Sequence, residues 1–184
     1  EAEALSLLET VLTSDAAETH VYISNLKSQL QAETDPRLQA RILRDLTMSL
    51  SDISNLPDLR MMMEKAEELA VLLPDQQQQL FLYAELAQAI EHHVLGDFQK
   101  MEQSFRQAKR LVAGLAPLSQ YFVAVMEAAT SADPADTINS LLFVIQETEA
   151  LPHTPEGQKM RLVGYSILGY IYSNIGEIAP LLRY

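Results

Sequence analysis

Residues 165–184 read Y-S-I-L-G-Y-I-Y-S-N-I-G-E-I-A-P-L-L-R-Y. Tyr165, Leu168 and Tyr172 fall at i, i+3 and i+7, which places three large apolar groups on one side of an α-helix. Gly169 directly follows the leucine, and a residue without a side chain lets a neighbouring helix come close. Gly176 ends the run, a second helical segment starts near Glu177, and the chain stops at Tyr184 after about two turns. The stretch reads as one helix, a turn and the opening of another. Because the second helix breaks off in its course, the sequence is expected to be a fragment of a longer protein.

Working back through the chain, helix signals dominate and strand signals are nearly absent. Residues 2–13 carry Leu5, Leu8 and Leu12 on one face. Ser14-Asp15 starts the next helix, with Glu18 three residues after Asp15 in the manner of a capping box. That helix runs to about Ala32 with Val21, Ile23, Leu26 and Leu30 as its apolar side. Asp35-Pro36, Asp133-Pro134 and Thr154-Pro155 each put an oxygen-bearing cap before a proline, whose missing N–H costs nothing in a first helical turn. Leu56-Pro57, Pro74-Asp75, Gly96-Asp97 and Ala116-Pro117 mark the remaining breaks, and Gln76–Gln79 is expected in a first helical turn. The pattern predicts about ten helices joined by very short turns, hence antiparallel neighbours.

The order aromatic-x-x-Leu-Gly-x-x-Tyr at 165–172 resembles the first helix of a tetratricopeptide repeat. Aligned on Leu168-Gly169, the pairs Leu46-Thr47, Leu86-Ala87 and, less well, Val125-Met126 fall in register. Leu43, Leu46 and Leu50 then match the core positions of a first helix, as do Tyr83 and Leu86 in the following unit. Met63 with Ala66, and Phe105 with Ala108, take the large and small positions of the second helices, while Gly96-Asp97-Phe98 matches the family's turn. The aligned positions lie 40, 39 and 43 residues apart, longer than the usual period of about 34 and similar to the extended repeats in maltose-regulon-activator-type regulators and in sensor regions of bacterial signalling proteins. HEAT-like repeats share the longer period, but the Leu-Gly/Ala pairing and the Gly-Asp turn favour the tetratricopeptide class. The match is specific at 165–176, fair at 83–111 and 43–69, and weak at 121–150. Thr47 and Met126 stand where the family has Gly or Ala, which predicts splayed or differently packed helix pairs there.

The resemblance implies an all-α fold, a superhelical array of antiparallel helical hairpins forming one domain over 1–184. Residues 1–34 are expected to form a capping hairpin, followed by units 36–73, 75–115, 117–150 and 155–184, the last truncated.

Composition narrows the function classes. A chain of 184 residues with 48% hydrophobic and 21% charged residues can build a real core. Its net charge of −12 argues against a nucleic-acid partner, because phosphate binding needs a basic face. Between Arg110 and Lys159 there is no Lys or Arg, yet six acidic residues fall there, from Glu127 to Glu156. This is read as a solvated acidic face, with a cationic partner as the alternative. The absence of cysteine excludes disulfides, Cys-ligated zinc and thiol catalysis, and leans toward an oxidising compartment. No apolar run approaches the roughly 20 residues needed to cross a membrane, and no signal peptide is visible, although the chain starts at Glu1 rather than Met.

Catalytic constellations are scarce. No glycine-rich phosphate loop, nucleophile elbow or His-Glu-x-x-His is present. His92 and His93 point about 100° apart on a helix and cannot easily share one metal; their place before Gly96 suits a helix C-terminus instead. His20 and His153 have no partner at metal-ligand spacing, and no metal or cofactor is expected. Glu67-Glu68 and Glu147/Glu149 read as solvated surface. Of Met61-Met62-Met63 at least one must face a core. Arg37, Arg41 and Arg44 share a helical face, as salt-bridge partners of acidic neighbours or as an anion-binding strip.

What the resemblance leaves is a concave groove lined by first helices, which holds a protein or peptide segment or a small ligand. Matched by position, the last unit presents Ser166, Tyr170, Ser173 and Asn174; the 83–98 unit presents Ala84, Gln88, Glu91 and His92; the 43–54 unit presents Arg44, Met48 and Ser51. A tyrosine rimmed by Ser and Asn offers an apolar plate with hydrogen bonds at its edge, and the alternative is that these are merely exposed polar positions. The expected function is a non-catalytic sensor module, the periplasmic or otherwise extracytoplasmic input domain of a bacterial membrane-anchored signalling protein. Its output domain would be a GGDEF diguanylate cyclase or a sensor histidine kinase. Ligand binding would change the superhelix pitch or stabilise a homodimer. The alternative is a cytoplasmic adaptor or regulator that captures a protein segment in its groove.

Overall fold

A computed structural model of the chain describes residues 18–50, 53–115 and 117–130, together with Ala135, Ile138, Asn139, Leu142, Phe143, Gln146, Gln158, Tyr165 and Gly169. Helix α1 covers 18–32 of these, followed by α2 (Pro36–Thr47), α3 (Leu56–Leu72), a 3₁₀ turn (Pro74–Gln76), α4 (Gln77–Val94), α5 (Phe98–Val112) and α6 (Pro117–Thr130). No strand occurs among the described residues, so the chain is all-helical there, as its patterning predicts.

The helix starts follow the cap-plus-proline logic. Asp35 Oδ1 accepts the Arg37 N–H at 2.8 Å, and Pro36 fills the first helical position of α2. Asn55 caps α3 with its backbone, its carbonyl accepting from the N–H groups of Asp58 and Leu59 at 3.1 Å each, and Pro57 lies in the first turn. Pro74 opens the 3₁₀ turn that leads into α4, and Pro117 opens α6. Asp133-Pro134 and Thr154-Pro155 lie outside the described residues.

The turn between α4 and α5 is the most tightly specified. Asp97 N–H donates to the His92 carbonyl at 2.9 Å and Gly96 N–H to the His93 carbonyl at 3.0 Å, the paired bonds of a Schellman motif. Gly96 adopts a φ of 73°, which a residue without a Cβ reaches freely. Asp97 then accepts the Lys100 N–H at 3.2 Å as the N-cap of α5, so two adjacent residues end one helix and start the next.

Packing divides the chain into two compact units, Glu1–Ala87 and Gln88–Tyr184, with the division inside α4. In the first unit α2 packs against α3. Leu43 and Leu46 of α2 are fully buried, as are Leu59, Ala66, Leu69 and Ala70 of α3. Arg37, at the start of α2, meets Asp75 beyond the end of α3 at 3.0 Å. Residues 48–55 connect the other ends, so the two helices run antiparallel. Lys27 of α1 reaches Asp58 of α3 at 2.7 Å, and α1 buries Ile23, Leu26 and Leu30.

Two details depart from the sequence reading. The fully buried large residue of α3 is Met62, with Met61 and Met63 half-buried; Met62 follows Leu59 at i+3 and precedes Ala66 at i+4, so it and not Met63 shares their face. Leu50 is fully buried as expected, but it lies beyond the end of α2 in 3₁₀ geometry, its carbonyl accepting from Ile53 N–H at 3.1 Å. Thr47 is fully buried too, its hydroxyl donating back to the Leu43 carbonyl at 2.8 Å, a local solution that leaves no polar atom orphaned.

In the second unit α5 packs against α6. Met101, Phe105, Ala108 and Val112 form the inner stripe of α5 at helical spacing, and Val123, Val125 and Met126 of α6 are buried. Lys109 and Glu127 join the two helices at 2.6 Å. Tyr165 and Gly169, two members of the stretch that decides the sequence reading, are helical and half-buried.

Candidate functional site

The groove positions fall in three places. Arg44 lies on α2 in the first unit, Gln88, Glu91 and His92 lie on the second half of α4 in the second unit, and Ser166, Tyr170, Ser173 and Asn174 lie outside the described residues. Arg44, Gln88 and His92 are half-buried, as are Met48 and Ala84, whereas Glu91 is buried.

Around Arg44 the structure gathers residues that linear spacing does not connect. Its Nε and Nη2 donate to Asp45 Oδ1 at 3.1 and 3.0 Å, which holds the guanidinium in a fixed plane. Tyr83 from the first half of α4 is buried close enough to feel this pair. Burial pushes its hydroxyl well above the ordinary tyrosine value, with the Arg44 charge and a Gln79 side-chain hydrogen bond opposing and Asp45 adding. Tyr22 of α1, although exposed, is shifted the same way, by partial desolvation first and then by Asp45, again opposed by Arg44. Both tyrosines therefore stay protonated near neutral pH: they can donate hydrogen bonds and present ring surface, but they are not poised as bases. A planar cation can pair with and stack on planar polar or anionic groups. Of these residues the sequence reading placed Arg44 in the groove and Tyr83 at a core position; Asp45 beside Arg44 was an available signal, and nothing in the spacing relates Tyr22 to it.

The shared arginine face resolves mainly into ion pairs, Arg37 with Asp75 and Arg44 with Asp45, each at 3.0 Å, while Arg41 is exposed. Glu67 and Glu68 are exposed, and Glu68 accepts from Lys65 at 2.6 Å, as expected of solvated surface.

At the end of α4, His92 and His93 occupy the last turn, as read from their position before Gly96. The His93 ring meets Phe98 edge-on, centroids 6.2 Å apart and planes at 70°. Asp97 is held below its ordinary value, chiefly by hydrogen bonds from Lys100, side chain and backbone, with the Lys100 and His92 charges adding. Among the described residues no three His, Asp or Glu side chains cluster as metal ligands. Glu85, which the sequence reading passed over, is half-buried in α4, and desolvation alone raises its pKa. Only the three-dimensional packing makes that carboxylate unusual. No described helix is long and apolar enough to cross a membrane.

No family model matches the chain, and no curated protein or solved structure matches it either.

Proposed function

We propose that the chain is a non-catalytic helical-repeat binding module that takes a protein segment or small ligand on the face carrying Arg44. The observation that carries the reading is Arg44 itself: a half-buried guanidinium held by Asp45 through Nε and Nη2, on a helix that the repeat alignment assigns to the groove. The buried large and small residues around the Gly96-Asp97 turn, Leu86-Ala87 before it and Phe105 with Ala108 after it, support the tetratricopeptide-like part of the reading. On this proposal the superhelical array is the extracytoplasmic input region of a membrane-anchored signalling protein, and occupancy of the groove biases an attached output domain. The net charge of −12 turns the same reading away from nucleic acid.

A thermal-shift screen of the intact chain against small metabolites and short peptides tests the proposal. The expected result is a ligand that raises Tm, with the rise lost in Arg44→Ala while helical circular dichroism is preserved. A rise unchanged in that variant would sink the groove assignment, and chemical conversion of the bound compound would make the module an enzyme. Reading the parent gene on both sides separates the settings: a transmembrane segment followed by a GGDEF or kinase region supports the sensor, and further repeats or an ATPase region would replace it with a cytoplasmic adaptor.

A further inference from the structure

We draw no further inference here: the strongest candidate, the outer face of α3 where Val71 and Leu72 are exposed beside Arg60, Glu64, Glu67 and the Lys65–Glu68 pair, carries charges of both signs and nothing in the structure shows what covers it.

Discussion

The backbone N–H of Asp97 donates to the carbonyl of His92 at 2.9 Å, across a Gly96 whose φ is 73°. This bond satisfies a carbonyl that the end of α4 would otherwise leave open, and it sets the direction in which α5 departs. A Cβ placed on Gly96 meets nothing within 4 Å, so substitution there is penalised by backbone conformation alone. Gly96→Ala is expected to cost about 1 kcal/mol, and Gly96→Asn less, because asparagine tolerates the left-handed region. Urea denaturation followed by circular dichroism would read this directly. Equal stabilities for all three chains would mean that the turn is not held as described.

Two carboxylates give the pH dependence opposite signs. The Asp97 pKa is depressed in the folded state, so its contribution to stability is present above the unfolded value and is lost as pH falls through the lower folded value. The Glu85 pKa is raised above 4.5, so the folded state binds the extra proton and stability falls as pH climbs through that window. Glu85→Gln should therefore raise Tm at neutral pH, with the gain shrinking as pH drops below the ordinary glutamate value. Asp97→Asn should lower Tm at neutral pH and converge with the parent chain at strong acid. Tm profiles of the three chains from pH 3 to 8 would separate the two effects, and parallel curves would contradict both assignments.

Core substitutions test each packing unit separately. Leu46→Ala in the first unit should cost about 2–5 kcal/mol and Phe105→Ala in the second about 3–5 kcal/mol, because both side chains are almost wholly buried. Val71→Ala should stay within about 0.5 kcal/mol, since Val71 is 77% exposed. Chemical denaturation of the three variants checks the ranking. A Val71 loss comparable to that of Leu46 would show that the exposed face of α3 is covered.

Tyr83→Phe deletes the hydroxyl of a buried tyrosine, whose titration the Gln79 side chain influences, and leaves the ring in place. The expected loss is about 1 kcal/mol, a drop of about 2–4 °C in Tm for a chain of this size. A larger loss, matched by an altered ultraviolet titration of the remaining tyrosines, would point to a wider polar network around Arg44.

Much of the fold is legible in the sequence because its signals are local. Asp35-Pro36, Gly96-Asp97 and Pro117 act within one turn of themselves, and the structure puts helix ends where those residues require them. Leu43, Leu46, Leu86 and Phe105 are legible for the same reason, since periodicity alone places them on an inner face. The Met62-for-Met63 displacement marks the limit of the repeat alignment: one residue of register is about 100° of helix, and three consecutive methionines leave the choice to packing. The tyrosines near Arg44 were not legible as its neighbours, because Tyr22 and Tyr83 come from α1 and α4 and approach α2 only through tertiary structure. The half-burial of Glu85 is likewise a property of its neighbours and not of its own segment.

The most direct test of the binding-module account is calorimetric titration of the ligand found by thermal shift into the parent chain and into Arg44→Ala. The ion pair of Arg44 with Asp45 is partly exposed, so its removal should cost the fold no more than about 1 kcal/mol and leave the chain competent to bind. The account predicts at least a tenfold weaker affinity for Arg44→Ala with unchanged helical content. Equal affinity in the two chains would contradict it and place the binding face elsewhere.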